Sequence, residues 1–162
     1  MIEVVERYAA AILPRRNGME MLAEALRTTL GLALPALGRW ERSGDLTLVR
    51  TAPHQVLALR ERDGLFDELE AAVGAHAGVV DLSDARACVR VDGNGAREVL
   101  ARLVPLDLHP RAMRAGCAAN TLAGHVGVLV LQRDDAPSYE LLVQRSLSGA
   151  LLRRLDVRHE TR

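Results

Sequence analysis

No lysine occurs among the 162 residues; all 21 basic side chains are arginine. Without lysine the chain cannot form a Schiff base with a carbonyl substrate or pyridoxal phosphate, and it has no Walker-type phosphate loop. Aromatic residues are nearly as scarce, at 2%: Tyr8, Trp40, Phe66 and Tyr139. Spread that thinly, they make no platform for stacking bases. Net charge is missing too, because 21 acidic residues balance the arginines, and a neutral chain has no global field for nucleic acid. There are two cysteines, Cys88 and Cys117, with neither a CxxC partner nor the histidine spacing of a zinc site, so free thiols are expected. No apolar run approaches the length that spans a bilayer, and Met1 to Tyr8 is acidic rather than basic-then-apolar as in a secretion signal. The expectation is a cytoplasmic protein that engages neither nucleic acid nor membrane.

What is present is ordinary for a globular domain: 49% hydrophobic and 26% charged residues. A chain of this length should bury roughly two-thirds of its unfolded surface, in one domain or two small halves sharing one core. The all-arginine usage fits codon bias in a GC-rich genome, as do the abundant alanine, glycine, leucine and valine.

Ala9–Leu13 is a short apolar run ended by Pro14. Asn17 is placed to cap a helix over Met19–Leu32, where Met21, Leu22, Ala25 and Leu26 recur at helical spacing, and Gly31 and Pro35 end it. Gly38–Gly44 reads as a loop carrying Trp40. Leu46–Arg50 and Gln55–Arg60 alternate as a strand pair joined by Thr51–His54. Asp63–Gly64 opens an amphipathic helix with Leu65, Phe66, Leu69, Ala72 and Val73 on one face, and Val79–Leu82 is a short strand. Then Arg86–Asp92 alternates as a half-buried strand, and Asp92–Gly95 turns into a helix over Ala96–Leu103, with Asn94 as its cap. A loop from Pro105 to Gly116 precedes three strands, Ala118–Leu122, His125–Gln132 and Tyr139–Val143. Ser146 is placed to cap a closing helix Leu147–Leu155, and Arg158–Arg162 is expected to fray.

The two halves echo each other. Ile12–Arg16 leads through Asn17–Gly18 into a helix with Leu22–Ala23; Val89–Asp92 leads through Gly93–Gly95 into one with Leu100–Ala101. The expected fold is α+β: duplicated strand–helix–strand–strand–helix units, with sheets packed against helices. The chain is expected to be one domain, 1–162, with pseudo-repeat halves of about 8–82 and 85–156.

No catalytic constellation emerges. The five histidines lie on no metal-binding spacing, and the Gly93-Asn94-Gly95 turn lacks the third glycine of a dinucleotide fingerprint, because Glu98 stands there. Ser83, Asp84 and Asp107 lie in no nucleophile-elbow context. The stiffest stretch, Pro105-Leu106-Asp107-Leu108-His109-Pro110-Arg111-Ala112-Met113, carries two prolines and three polar side chains, Asp107, His109 and Arg111, suited to recognising a partner surface. His125, opening an apolar strand, and Arg145, before the last helix, complete the candidate interface set.

Several of these pieces, in this order, resemble the gamma subunit of heterotetrameric sarcosine oxidase. They are Val80–Leu82, the strand from Arg86 to Asp92, the helix Ala96–Leu103, and Pro-Leu-Asp-Leu-His-Pro-Arg over Pro105–Arg111. Ala118-Ala119-Asn120-Thr121-Leu122-Ala123-Gly124-His125-Val126-Gly127-Val128 and Val143-Gln144-Arg145-Ser146 follow the same pattern. Where members of that family commonly carry Gly-Pro-Asp-Glu-Trp, this chain has Ala52-Pro53-His54-Gln55-Val56. The resemblance implies a folate-binding-domain-like fold related to the glycine-cleavage T-protein, and a subunit that is not itself catalytic. It also implies alpha and beta partner subunits, with a delta chain as a further one. FAD, covalently held FMN and NAD would reside in alpha and beta and zinc in delta, with no cofactor in this chain. Such a complex oxidises sarcosine to glycine, yielding hydrogen peroxide and, with tetrahydrofolate, 5,10-methylenetetrahydrofolate. Two alternatives accompany this reading. One is the small subunit of a related N-methyl amino acid dehydrogenase, such as one acting on N-methylglutamate. The other is a free-standing folate-binding or aminomethyltransferase-like protein.

Overall fold

The computed structural model describes residues 1–62 and 66–156. Asp63, Gly64 and Leu65, where the second helix was expected to open, lie outside the described residues, as does the tail Arg158–Arg162. The chain divides into two compact units, one of Arg7–Asp84 and one of Met1–Glu6 with the chain from Ala85 onward.

Strand β1 (Ile2–Val5) opens the chain and belongs to the later unit. The Arg7–Asp84 unit runs β2 (Tyr8–Pro14), α1 (Met19–Leu30), β3 (Arg39–Ser43), β4 (Leu46–Ala52), β5 (Gln55–Arg60), α2 (Asp67–Val73) and β6 (Ala77–Asp81). Its strands form one antiparallel sheet in the order β3-β4-β5-β2-β6. One residue of every two on the strands faces the helices. Ala10, Ile12, Leu46, Leu48, Val56 and Ala58 thereby pack with Leu22 and Leu26 of α1, and with Phe66, Leu69 and Val73 at α2. Truncating a fully buried leucine such as Leu22 or Leu26 to alanine should cost about 2–5 kcal/mol.

The expected cap at Asn17 is replaced by a turn. Asn17 is left-handed (φ +60), Gly18 holds the cap position without a side-chain bond, and its N–H donates to the Arg15 carbonyl at 2.7 Å. A Cβ on Gly18 would lie 2.8 Å from the His76 carbonyl oxygen, so the strand-to-helix turn is closed by backbone approach rather than by a side chain. The Gly38–Gly44 segment, read as a loop, holds β3 instead. This strand is an exposed edge, so Arg39-Trp40-Glu41-Arg42-Ser43 never needed the apolar alternation that marks a buried strand.

The later unit adds β7 (Arg86–Asp92), α3 (Ala96–Ala101), β8 (Ala118–Ala123), β9 (Val126–Asp134), β10 (Ser138–Gln144), a 3-10 turn Arg145–Leu147 and α4 (Ser148–Asp156). Its sheet runs β1-β7-β10-β9-β8, again antiparallel throughout. Val89, Val91, Val128, Val130, Tyr139, Leu141 and Val143 pack with Ala96 and Leu100 of α3 and Leu151 and Leu155 of α4. Neither expected cap forms. Gly95, not Asn94, precedes α3 and makes no side-chain bond. The 3-10 turn displaces the start of α4 past Ser146, and the Ser148 hydroxyl donates to the Arg145 carbonyl at 2.7 Å. Both cysteines are free thiols, Cys88 buried and Cys117 half-buried. No described helix is long and apolar enough to cross a membrane.

The α+β class and the duplicated arrangement of sheet and helices therefore hold, with two strands unforeseen, β3 and β1. β1, four residues next to an acidic stretch, is too short to show a period, yet it pairs with β7 from Ile2↔Val91 to Val5↔Cys88.

Candidate partner-binding surface

The loop after α3 is built on two buried anchors, Leu108 and Met113. Two of its polar side chains secure its own backbone. An Asp107 carboxylate oxygen accepts the His109 N–H at 2.9 Å, and His109 Nδ1 accepts the Arg111 N–H at 3.2 Å. The His109 carbonyl accepts from Ala112 and Met113, and Arg97 Nε donates to the Leu108 carbonyl at 2.9 Å. With Nδ1 accepting, a neutral His109 carries its proton on Nε2, leaving one donor for a neighbour. Arg111 is exposed, and its guanidinium has no partner among the described residues.

His125 and Arg145 belong to a different place. His125 is exposed in the β8–β9 hairpin, immediately before β9 begins; Arg145 follows the end of β10, and its N–H donates to the Ala85 carbonyl at 2.9 Å. Because β9 and β10 are antiparallel neighbours, the start of one and the end of the other share one end of the sheet. Asp107, His109 and Arg111 lie instead in the loop tied to the first turn of α3. The five candidates thus form two groups. The departure Ala52-Pro53-His54-Gln55 is the connection between β4 and β5, and an Arg50 guanidinium nitrogen donates to the Pro53 carbonyl at 3.3 Å.

A cluster not anticipated from the sequence lies on the helix-free face of the later sheet. Arg90 alternates with Val89 and Val91, and Glu140 with Tyr139 and Leu141, so both point away from the helices. Arg90 reaches Glu140 at 3.0 Å and Glu3 at 3.3 Å, while Arg133 Nε meets the same Glu140 oxygen at 3.2 Å. The result is a ladder of alternating charge over four strands, centred on a Glu140 side chain only 6% exposed. Burial works to lower the Arg90 pKa, but hydrogen bonding and attraction to Glu140, then Asp92 and Glu3, outweigh it and hold the guanidinium above its ordinary value. The only sequence signal was a charged residue flanked by apolar ones in each of two strands, Arg90 between Val89 and Val91 and Glu140 between Tyr139 and Leu141.

Comparison with known proteins gives a consistent picture. The model of the sarcosine oxidase, gamma subunit family matches residues 17–157. The gamma subunit of sarcosine oxidase from Corynebacterium sp. strain U-96 is 33% identical over 129 residues, covering 76% of this chain and 62% of that one. Its counterpart from Arthrobacter sp. is 36% identical over 121 residues, covering 72% and 60%. The chain therefore spans about three-fifths of the length of these curated relatives. Among solved structures, heterotetrameric sarcosine oxidase from Corynebacterium sp. U-96, in complex with pyrrole 2-carboxylate, contains a chain that superposes with a TM-score of 0.82 at 25% identity, over 96% of this chain and 80% of that one. The glycine cleavage system aminomethyltransferase T from Bartonella henselae shares the fold, with a TM-score of 0.71 at 20% identity over 95% of this chain and 44% of that one. With the family model covering most of its length, the chain belongs to the sarcosine oxidase gamma subunit family.

Proposed function

We propose that this chain is the non-catalytic gamma subunit of a cytoplasmic, sarcosine-oxidase-type heterotetramer, in which alpha and beta subunits carry FAD, FMN and NAD and a delta subunit carries zinc. The complex would demethylate sarcosine oxidatively to glycine, with hydrogen peroxide and 5,10-methylenetetrahydrofolate as further products. The observation that carries this reading is the superposition of 96% of the chain on a chain of a heterotetrameric sarcosine oxidase. Co-expression with alpha- and beta-type chains tests it. The tagged gamma chain should bring both down in an assembly that oxidises sarcosine and releases peroxide; a chain that stays monomeric beside them overturns the proposal.

Asp107, His109, Arg111, His125 and Arg145 are proposed to touch those partners. An exposed arginine adds little to the fold, whereas one closed against a carboxylate at an interface gains planar, two-pronged contacts. Arg111→Ala and Arg145→Ala should each weaken assembly about tenfold while changing the chain's own stability by less than about 0.5 kcal/mol. Capture at wild-type strength would remove these residues from the interface. The likeness to aminomethyltransferase T is one of fold; calorimetry of the isolated chain with tetrahydrofolate, expected to give no heat, separates a subunit from a free-standing folate-binding protein.

A further inference from the structure

We propose that the outer edge of β8 is a docking strand for an extended, acidic segment of a partner subunit, which adds a strand to the sheet and sets a carboxylate against Arg102 and Arg154. The inference rests on the subunit reading above and assigns a surface to it.

β8 is the last strand of its sheet, with β9 on one side and no described strand on the other. Its sequence, Ala118-Ala119-Asn120-Thr121-Leu122-Ala123, holds no charge and no proline. Edge strands that must stay unpaired are usually guarded by charged side chains. β3, the corresponding edge of the other sheet, is guarded in that way by Arg39, Glu41 and Arg42. β8 carries no such guard.

The side chains add a second argument. Leu122 is 53% exposed. Its cross-strand partner on β9 is Gly127, where no atom lies within 4 Å of the position a Cβ would take. Leu122 therefore has no β9 side chain beside it, and the residue of an added strand is what would take it out of water. Next to Leu122 the chain turns at Gly124, whose N–H donates to the Leu103 carbonyl at 3.1 Å, one residue beyond Arg102 at the end of α3. From α4, the Arg154 guanidinium packs over Gly124 so closely that a Cβ there would stand 3.0 Å from its Cζ. Arg102 and Arg154 are exposed and have no carboxylate partner among the described residues, and exposed His125 follows Gly124 in the turn. An unguarded edge, an uncovered leucine and exposed guanidinium groups at one end define one occupant: an extended polypeptide with an apolar residue beside an acidic one. Backbone pairing would supply affinity and the two side chains the register.

Capture by immobilised alpha- and beta-type chains tests this. Leu122→Lys places a charge on the edge and should reduce capture at least tenfold, with the urea midpoint of the free chain unchanged. The Arg102→Glu, Arg154→Glu double variant should lose about tenfold at low salt, and the loss should shrink at high salt as charge is screened. In the assembled wild-type complex, amide exchange should be slower in β8 than in the charged edge β3. Three outcomes overturn the proposal: wild-type capture by both variants, β8 amides that exchange as fast as those of β3, and a homodimer of the isolated chain joined through β8. A wild-type chain that captures neither partner overturns the subunit reading and this inference with it.

Discussion

The two sheets of this chain share one plan and differ on their helix-free faces. Their strand orders, β3-β4-β5-β2-β6 and β8-β9-β10-β7-β1, correspond element by element, although β6 follows α2 and β1 opens the chain. The correspondence extends to single bonds. Arg15 N–H donates to His76 O after β2, and Asp92 N–H donates to Met1 O at the end of β7. Carried along the strands, this register sets Ile12 against Val89, two fully buried residues that face helices. One step further, Leu13 and its partner Gly78 stand where Arg90 and Glu3 stand, and Gln55, next to Val56, stands where Glu140 does. One sheet carries a charge ladder at the place where the other has Leu13, 44% exposed, beside a glycine. Helix-facing positions are constrained alike in both sheets, because each must bury an apolar layer. Across the pleat much of the surface is buried and apolar as well, with Ala9, Ala11, Val49 and Leu59 in one sheet and Cys88, Leu129, Leu131 and Leu142 in the other. A polar group placed there must therefore be paired, as Arg90, Glu140 and Arg133 are with one another.

The largest test of that difference removes the centre of the ladder. Glu140→Ala removes the buried carboxylate that Arg90 and Arg133 share and should cost about 3 kcal/mol, because deleting one member of a buried charge network weakens every pair built on it. Gln55→Ala, at the corresponding exposed position, should change stability by less than about 0.5 kcal/mol. Urea titration of the two variants reads the contrast; equal effects would mean that the ladder is ornamental.

The hairpins sharpen it further. Gly44 and Gly124 each open a two-residue turn, between Ser43↔Leu46 and Ala123↔Val126, at φ +58 and +64. Alanine at Gly44 meets open space and should cost only the left-handed strain, about 1 kcal/mol. Alanine at Gly124 must also move the guanidinium end of exposed Arg154, so its cost should be slightly larger than at Gly44. The Arg154→Ala background should bring the two substitutions level in a thermal melt. Tyr139→Phe should act in the opposite direction. The Tyr139 hydroxyl is buried in the later core with no hydrogen-bond partner among the described residues, so removing it should stabilise the chain by about 1 kcal/mol, raising its urea midpoint.

Which parts were legible in the sequence follows from where the apolar period is strong. Helix-facing runs such as Leu46–Arg50, Gln55–Arg60 and Arg86–Asp92 announced themselves, because one buried face imposes alternation. β3 and β1 did not, since an edge strand of four or five residues that buries little has no period to show. The three misplaced caps have one cause. Asn17, Asn94 and Ser146 have suitable side chains, but glycine turns and a 3-10 turn close those helix starts through the backbone. At the candidate surface, the stiffness of the loop was legible from its prolines. That Asp107 and His109 bind their own backbone was not, because such bonds depend on the turn the loop adopts. The ladder was invisible for a deeper reason: Glu3, Arg90, Arg133 and Glu140 are brought together only by strand order.

The smallest expected effect distinguishes the two equivalent edge strands by pH. β6 ends at Asp81, whose carboxylate is bonded by the Ser83 hydroxyl and, at 2.8 Å, by the Ser83 N–H, while Ser83 Oγ accepts the Ala9 N–H at 3.2 Å. Those bonds favour the charged form and hold the Asp81 pKa below its ordinary value against the weaker opposing effect of burial. A carboxyl group lowered on folding stabilises the chain fully above its unfolded pKa, about 3.9, and that contribution disappears as the pH falls through the lower folded value. Asp81→Asn should therefore be slightly less stable than wild type at pH 7, and the gap in urea midpoint should close as the pH is lowered toward 2. A gap that persists in acid would assign the effect to packing at the end of β6 rather than to the charge on Asp81.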